Sequence, residues 1–77
     1  MPLFTVRFQG LLFKTHFEQL EKAGIVLGPQ ETPEIGFGEP IYSAAVEADS
    51  EGEAIERVER AIGRDSFNFS KWEAGVA

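Results

Sequence analysis

Ile41-Tyr42-Ser43-Ala44-Ala45-Val46-Glu47-Ala48-Asp49-Ser50-Glu51-Gly52-Glu53 is a strand running directly into a helix. Over residues 41–48 the chain alternates. Tyr42, Ala44, Val46 and Ala48 share one face, and Ile41, Ser43, Ala45 and Glu47 share the other. A period of two marks a strand with one buried face. The small alanines predict that a helix approaches it closely. At Asp49-Ser50 the period changes. Ser50 with Glu53 three residues on forms a capping box. Ala54, Ile55, Val58, Ala61 and Ile62 then recur at helical spacing. Glu53/Arg57 and Glu56/Arg60 stand four apart in the favourable order, acid first. Gly63 closes the helix.

Beyond that glycine, residues 67–73 predict the last strand, with Phe67 and Phe69 on one face and Asn68, Ser70 and Trp72 on the other. Residues 74–77 are expected to fray. Ahead of the deciding stretch, residues 28–40 hold Pro29, Pro33 and Pro40 with Gly28, Gly36 and Gly38. That composition predicts a long loop or splayed hairpin, because proline cannot join a central ladder. Residues 25–27 form a short β-branched run and a short strand. Residues 11–23 predict a helix with Phe13, Phe17, Leu20 and Ala23 as its apolar stripe. Either Thr15 and Glu18 cap it, or it begins just after Gly10. Lys14/Glu18 and Glu18/Lys22 fall at ion-pair spacing on its outer face, and Gly24 follows its end. At the start, Phe4, Val6 and Phe8 alternate with Thr5, Arg7 and Gln9, again a half-buried strand.

The resulting order, β-α-β-β-α-β, belongs to the α+β ferredoxin-like sandwich. Right-handed crossovers place both helices on one face of a four-stranded antiparallel sheet. The expected strand order is 4-1-3-2. The other face stays uncovered, with Thr5, Arg7, Gln9, Val26, Ile41, Ser43, Ala45, Glu47, Asn68, Ser70 and Trp72 as its candidates. Arg7 and Trp72 are expected there as cross-strand neighbours in a cation–π contact.

With 77 residues the chain has room for one domain, residues 1–77. It is 43% hydrophobic and 26% charged, a globular balance. Seven basic residues stand against thirteen acidic ones, for a net charge of -6. That disfavours nucleic acid, whose affinity comes mostly from Lys and Arg displacing counterions, and it disfavours an anionic membrane equally. There is no cysteine. Disulfide frameworks, thiolate metal sites and cysteine nucleophiles are therefore excluded. A small chain without such staples gains from burying part of its surface in a second copy, so a homodimer is expected. No basic head with a long apolar run opens the sequence, and no apolar stretch nears the ~20 residues that span a bilayer. The expected location is cytoplasmic.

Val6-Arg7-Phe8-Gln9-Gly10-Leu11-Leu12, then Leu20 and Ala23-Gly24-Ile25-Val26, resembles the first half of an ACT domain. Residues 44–48 with the helix after them are similar to its second half. The resemblance implies a small regulatory module that dimerises side by side and binds an amino acid or similar small ligand near the first strand–helix turn. By it Gln9, Gly10 and Leu11 are the ligand-turn residues. Phe8-Gln9 stands where the family often carries an acid and a proline, and the loop over residues 28–40 is longer than its usual one. The RNA-recognition motif shares the topology, but Glu34 and Glu39 stand where a basic and a stacking aromatic residue belong.

No residue pattern carries catalysis. His16, the single histidine, has only Glu18 and Gln19 near it in sequence and is expected at a helix surface or boundary. An enzyme would need a cleft built on Arg7, His16 or Tyr42. Asp49, Glu51 and Glu53 lack calcium-loop spacing and suit a first helical turn instead. Gly36-Phe37-Gly38 either presents Phe37 to a partner or folds it back onto the core, and Trp72 is an interface anchor or a lid. The expectation is a non-enzymatic module without metal or cofactor. It senses a small ligand, or it binds protein through Arg7, Phe37, Tyr42 and Trp72.

Overall fold

The computed structural model describes residues 1–31 and 38–77. The strands are β1 (Leu3–Gln9), β2 (Val26–Leu27), β3 (Ile41–Glu47) and β4 (Ser70–Val76). The helices are α1 (Lys14–Lys22) and α2 (Glu51–Ile62), and a 3-10 segment, Gly63–Asn68, leads from α2 towards β4. The sheet is antiparallel with order β2-β3-β1-β4. This is the ferredoxin-like α+β sandwich, with its helices over one face of the sheet. Among the described residues no helix is long and apolar enough to cross a membrane.

The core lies between sheet and helices. Phe4, Val6 and Phe8 from β1 meet Tyr42, Ala44 and Val46 from β3, and α2 closes over them with Ala54, Val58 and Ile62. Burying a side chain such as Phe8 contributes about 2–3 kcal/mol. α2 begins as its sequence predicts, with Ser50 Oγ accepting the Glu53 N–H at 3.2 Å. Its two ion pairs, Glu53–Arg57 and Glu56–Arg60, both form. Gly63 ends it at φ 84°, ψ -144°, backbone that only glycine adopts readily.

Three expectations need correction. First, α1 buries a different stripe. Leu12, His16 and Leu20 face the core, whereas Phe13, Phe17 and Ala23 are exposed. The helix starts at neither expected place. Phe13 is its N-cap residue, and the Phe13 N–H donates to His16 Nδ1 at 3.0 Å. Neither Lys14/Glu18 nor Glu18/Lys22 is among the ion pairs formed.

Second, the last strand runs from Ser70 to Val76, so the expected frayed tail is largely strand. Residues 63–68, rich in turn formers, make the 3-10 segment instead. Phe67 and Asn68 thus fall outside the sheet.

Third, Trp72 lies on the helix-covered side. β1 and β4 pair Gln9 with Ser70 and Arg7 with Glu73, which leaves Phe8 facing two residues, Lys71 and Trp72. The extra residue is a β-bulge, with Lys71 at φ 56°. It shifts the alternation by one and stacks Trp72 on Phe8, ring centroids 4.9 Å apart. Arg7 faces the other way, so the expected Arg7–Trp72 cation–π contact does not form. Glu73 is the residue opposite Arg7.

Candidate interaction surface

At one end of the sandwich, where β1 finishes and β3 and β4 begin, the aromatic residues gather. Phe8 lies at the middle. Tyr42 stacks on it at 5.8 Å, Trp72 at 4.9 Å, and Phe69 meets it edge-on at 5.5 Å. Phe69 in turn meets the His16 ring edge-on, and Phe13 packs against His16. Offset and edge-to-face pairs of this kind add about 0.5–1.5 kcal/mol each beyond their buried area.

His16 is 3% exposed, the one buried polar residue of the described core. Its two nitrogens are both engaged. Nδ1 accepts from the Phe13 N–H, so the ring proton sits on Nε2, which donates to Asp65 Oδ2 at 2.7 Å. The orienting acid that is missing nearby in sequence arrives from forty-nine residues away. The pair resembles a base with its acid, but general-base work needs a free lone pair, and the one on Nδ1 caps α1. His16 is therefore a structural tie between the start of α1 and the 3-10 segment.

Gln9, Gly10 and Leu11 stand at the β1–α1 turn. The Gln9 side-chain amide donates to the Glu39 carbonyl, and the Gly10 N–H donates to the Pro40 carbonyl, each at 3.0 Å. Two donors of the turn thus hold residues 39–40. Gly10 is buried, and a Cβ built there would lie 2.1 Å from a ring carbon of Phe69. Its missing side chain makes room for Phe69. Leu11 is exposed.

The expected interaction residues separate. Arg7 is on the uncovered sheet face and pairs with Glu31 at 2.9 Å. Tyr42 is buried on the opposite face, its hydroxyl 3.5 Å from Gln30 Oε1. Trp72 is half-buried against Phe8. Phe37 lies outside the described residues. Beside β2, an open groove runs along α2 past Ser50, Glu53 and Arg57, where Glu53 pairs with Arg57 and Glu56 with Arg60.

What sequence reasoning missed is the apolar surface beside this cluster. Phe67 is 92% exposed and Phe13 59% exposed, and Leu11 and Phe17 are exposed as well. Phe13 adjoins His16, Asp65 ties the 3-10 segment to that histidine, and Phe67 stands two residues further on. At roughly 150–250 Å² for a whole aromatic side chain, the four residues present on the order of 500 Å² of apolar surface. The signal in the sequence was Gly63-Arg64-Asp65-Ser66, a turn-forming run that argues against placing Phe67 in a strand.

Comparison with models of known families, with curated proteins and with solved structures finds no match. The fold and the chemistry of this surface therefore carry the functional reading.

Proposed function

We propose that this chain is a small, non-enzymatic protein-interaction module that works through its aromatic end. The observation that carries the reading is Phe67, a large apolar side chain left almost wholly in water on the segment that Asp65 ties to His16. Aromatic side chains are the usual anchors of interfaces, because they bury much area at little entropic cost. The partner is a protein segment carrying apolar side chains flanked by Lys or Arg. The first part of that follows from the exposed aromatic side chains, the second from a chain of net charge -6, whose field draws basic partners.

Among binding modules, sensing of a small ligand at Gln9, Gly10 and Leu11 has less support, because the Gln9 amide and the Gly10 N–H already serve the backbone of residues 39–40.

The test is selection from a random peptide library displayed against the folded chain. Enrichment of apolar sequences with basic flanks, lost with Phe13→Ser and Phe67→Ser while the melting temperature holds, is the expected result. No enrichment, or enrichment indifferent to both substitutions, overturns the proposal.

A further inference from the structure

β4 is an edge strand of seven residues, and β1 is its one neighbour in the described sheet. The Ala77 N–H donates to the Leu3 carbonyl at 3.0 Å. The register then sets Thr5 opposite Gly75 and Arg7 opposite Glu73. Backbone groups alternate in direction along an antiparallel strand. Residues 73, 75 and 77 accordingly turn towards β1, and Ala74 and Val76 turn their N–H and C=O groups to the unpaired side. Proteins usually blunt such an edge with proline, a bulge or charge. Here the bulge at Lys71 protects one end only, and residues 74–76 are Ala-Gly-Val. Val76 is 77% exposed although it belongs to the helix-covered side.

We propose that this free side of β4 pairs antiparallel with β4 of a second copy across a two-fold axis at Ala74, joining the two sheets into one. Self-complementarity is what identifies the occupant. With the axis at Ala74, each Ala74 faces the partner's Ala74 with its backbone groups outward, and each Val76 lies over the partner's Trp72. The Ala74 pair adds two hydrogen bonds to the ladder, and an exposed valine is covered by a half-buried tryptophan twice over. On the other face Glu73 falls opposite the partner's Gly75, where no side chain meets it. An axis one residue earlier would set Glu73 against its own copy, and like charges directly opposite are destabilising. The inference is independent of the exposed Phe13 and Phe67, which take no part in this pairing, whereas Trp72 of the aromatic end is covered by it.

The test uses the full chain in sedimentation velocity with two substitutions at one site. A Cβ added at Gly75 meets nothing within 4 Å, so the folded chain accepts a side chain there. Gly75→Glu places an acid opposite the partner's Glu73 on both sides of the axis, and Gly75→Lys places a base there. Expected is a dimer, twice the mass of the chain, at micromolar concentration. Gly75→Glu should weaken it tenfold or more at low salt, Gly75→Lys should hold or tighten it, and Phe67→Ser should leave it unchanged. A monomer at every concentration overturns the proposal. So does a dimer whose affinity ignores the sign of the charge at position 75, or one that dissociates with Phe67→Ser.

Discussion

His16 Nε2 lies 2.7 Å from Asp65 Oδ2, and this contact fastens the beginning of α1 to the segment that follows α2. The same ring caps the helix through Nδ1. A polar side chain takes a core position here because both of its polar atoms find partners, the condition under which burial costs little.

His16→Ala should therefore cost about 2–4 kcal/mol, since it opens a cavity and strands the Phe13 N–H. Asp65→Asn keeps an acceptor in place and should cost about 1 kcal/mol or less. Urea unfolding of the two variants measures both. A His16→Ala chain as stable as the parent would show that the tie is not formed.

Gly10 is a question of space. The Phe69 ring occupies the place where a methyl group on the Gly10 Cα would stand. Gly10→Ala should destabilise by about 3 kcal/mol, because the ring must leave its place. The two residues share one contact, so Gly10→Ala combined with Phe69→Ala should cost less than the two single changes summed. Additive costs in a double-mutant cycle would contradict the contact.

Phe67 and Phe13 are conspicuous in the sequence, yet in the isolated chain they should be nearly silent. Phe67→Ser is expected to alter stability by less than about 0.5 kcal/mol, and Phe13→Ser, which sets a favoured N-cap residue at the start of α1, by about 1 kcal/mol at most. Leu20→Ala, by contrast, should cost about 2–5 kcal/mol. Thermal melts rank the three. A large loss from Phe67→Ser would place that ring inside the core after all.

Lys71 holds positive φ at the bulge, a conformation that strains a side chain carrying a Cβ. Lys71→Gly should stabilise the chain by about 0.5–1 kcal/mol, its lower strain exceeding the entropy glycine loses on folding. Chemical denaturation with an unchanged m-value is the check. A destabilised variant would mean that the lysine side chain makes a compensating contact.

The sheet was legible in the sequence because its information is local. Phe4-Val6-Phe8 and Tyr42-Ala44-Val46 state their buried side by alternation alone, and Ser50 with Glu53 states where α2 begins. The failures have a common cause, which is that the deciding partner is far along the chain. Phe13-Phe17-Leu20 is a sound apolar stripe by spacing, but Leu12-His16-Leu20 wins because Asp65 satisfies the histidine. Trp72 follows the alternation of Ser70 until the pairing with β1 inserts Lys71. For the candidate surface, Arg7 was read on the uncovered sheet face, where it lies. The exposed Phe13, Phe17 and Phe67 were hidden because the first two were read as the buried stripe of α1 and the third as part of the last strand.

The bulge also makes this segment sensitive to counting. Between Ser70 and Glu73 the chain carries one residue more than the ladder across from it. Removing a single residue there would restore strict alternation. Everything downstream would then either rotate half a turn, sending Ala74 and Val76 into water, or slide along its neighbour to stay buried. Length, more than residue type, is what this short stretch must conserve. Tolerance to substitution at Lys71 should therefore coexist with intolerance to its deletion.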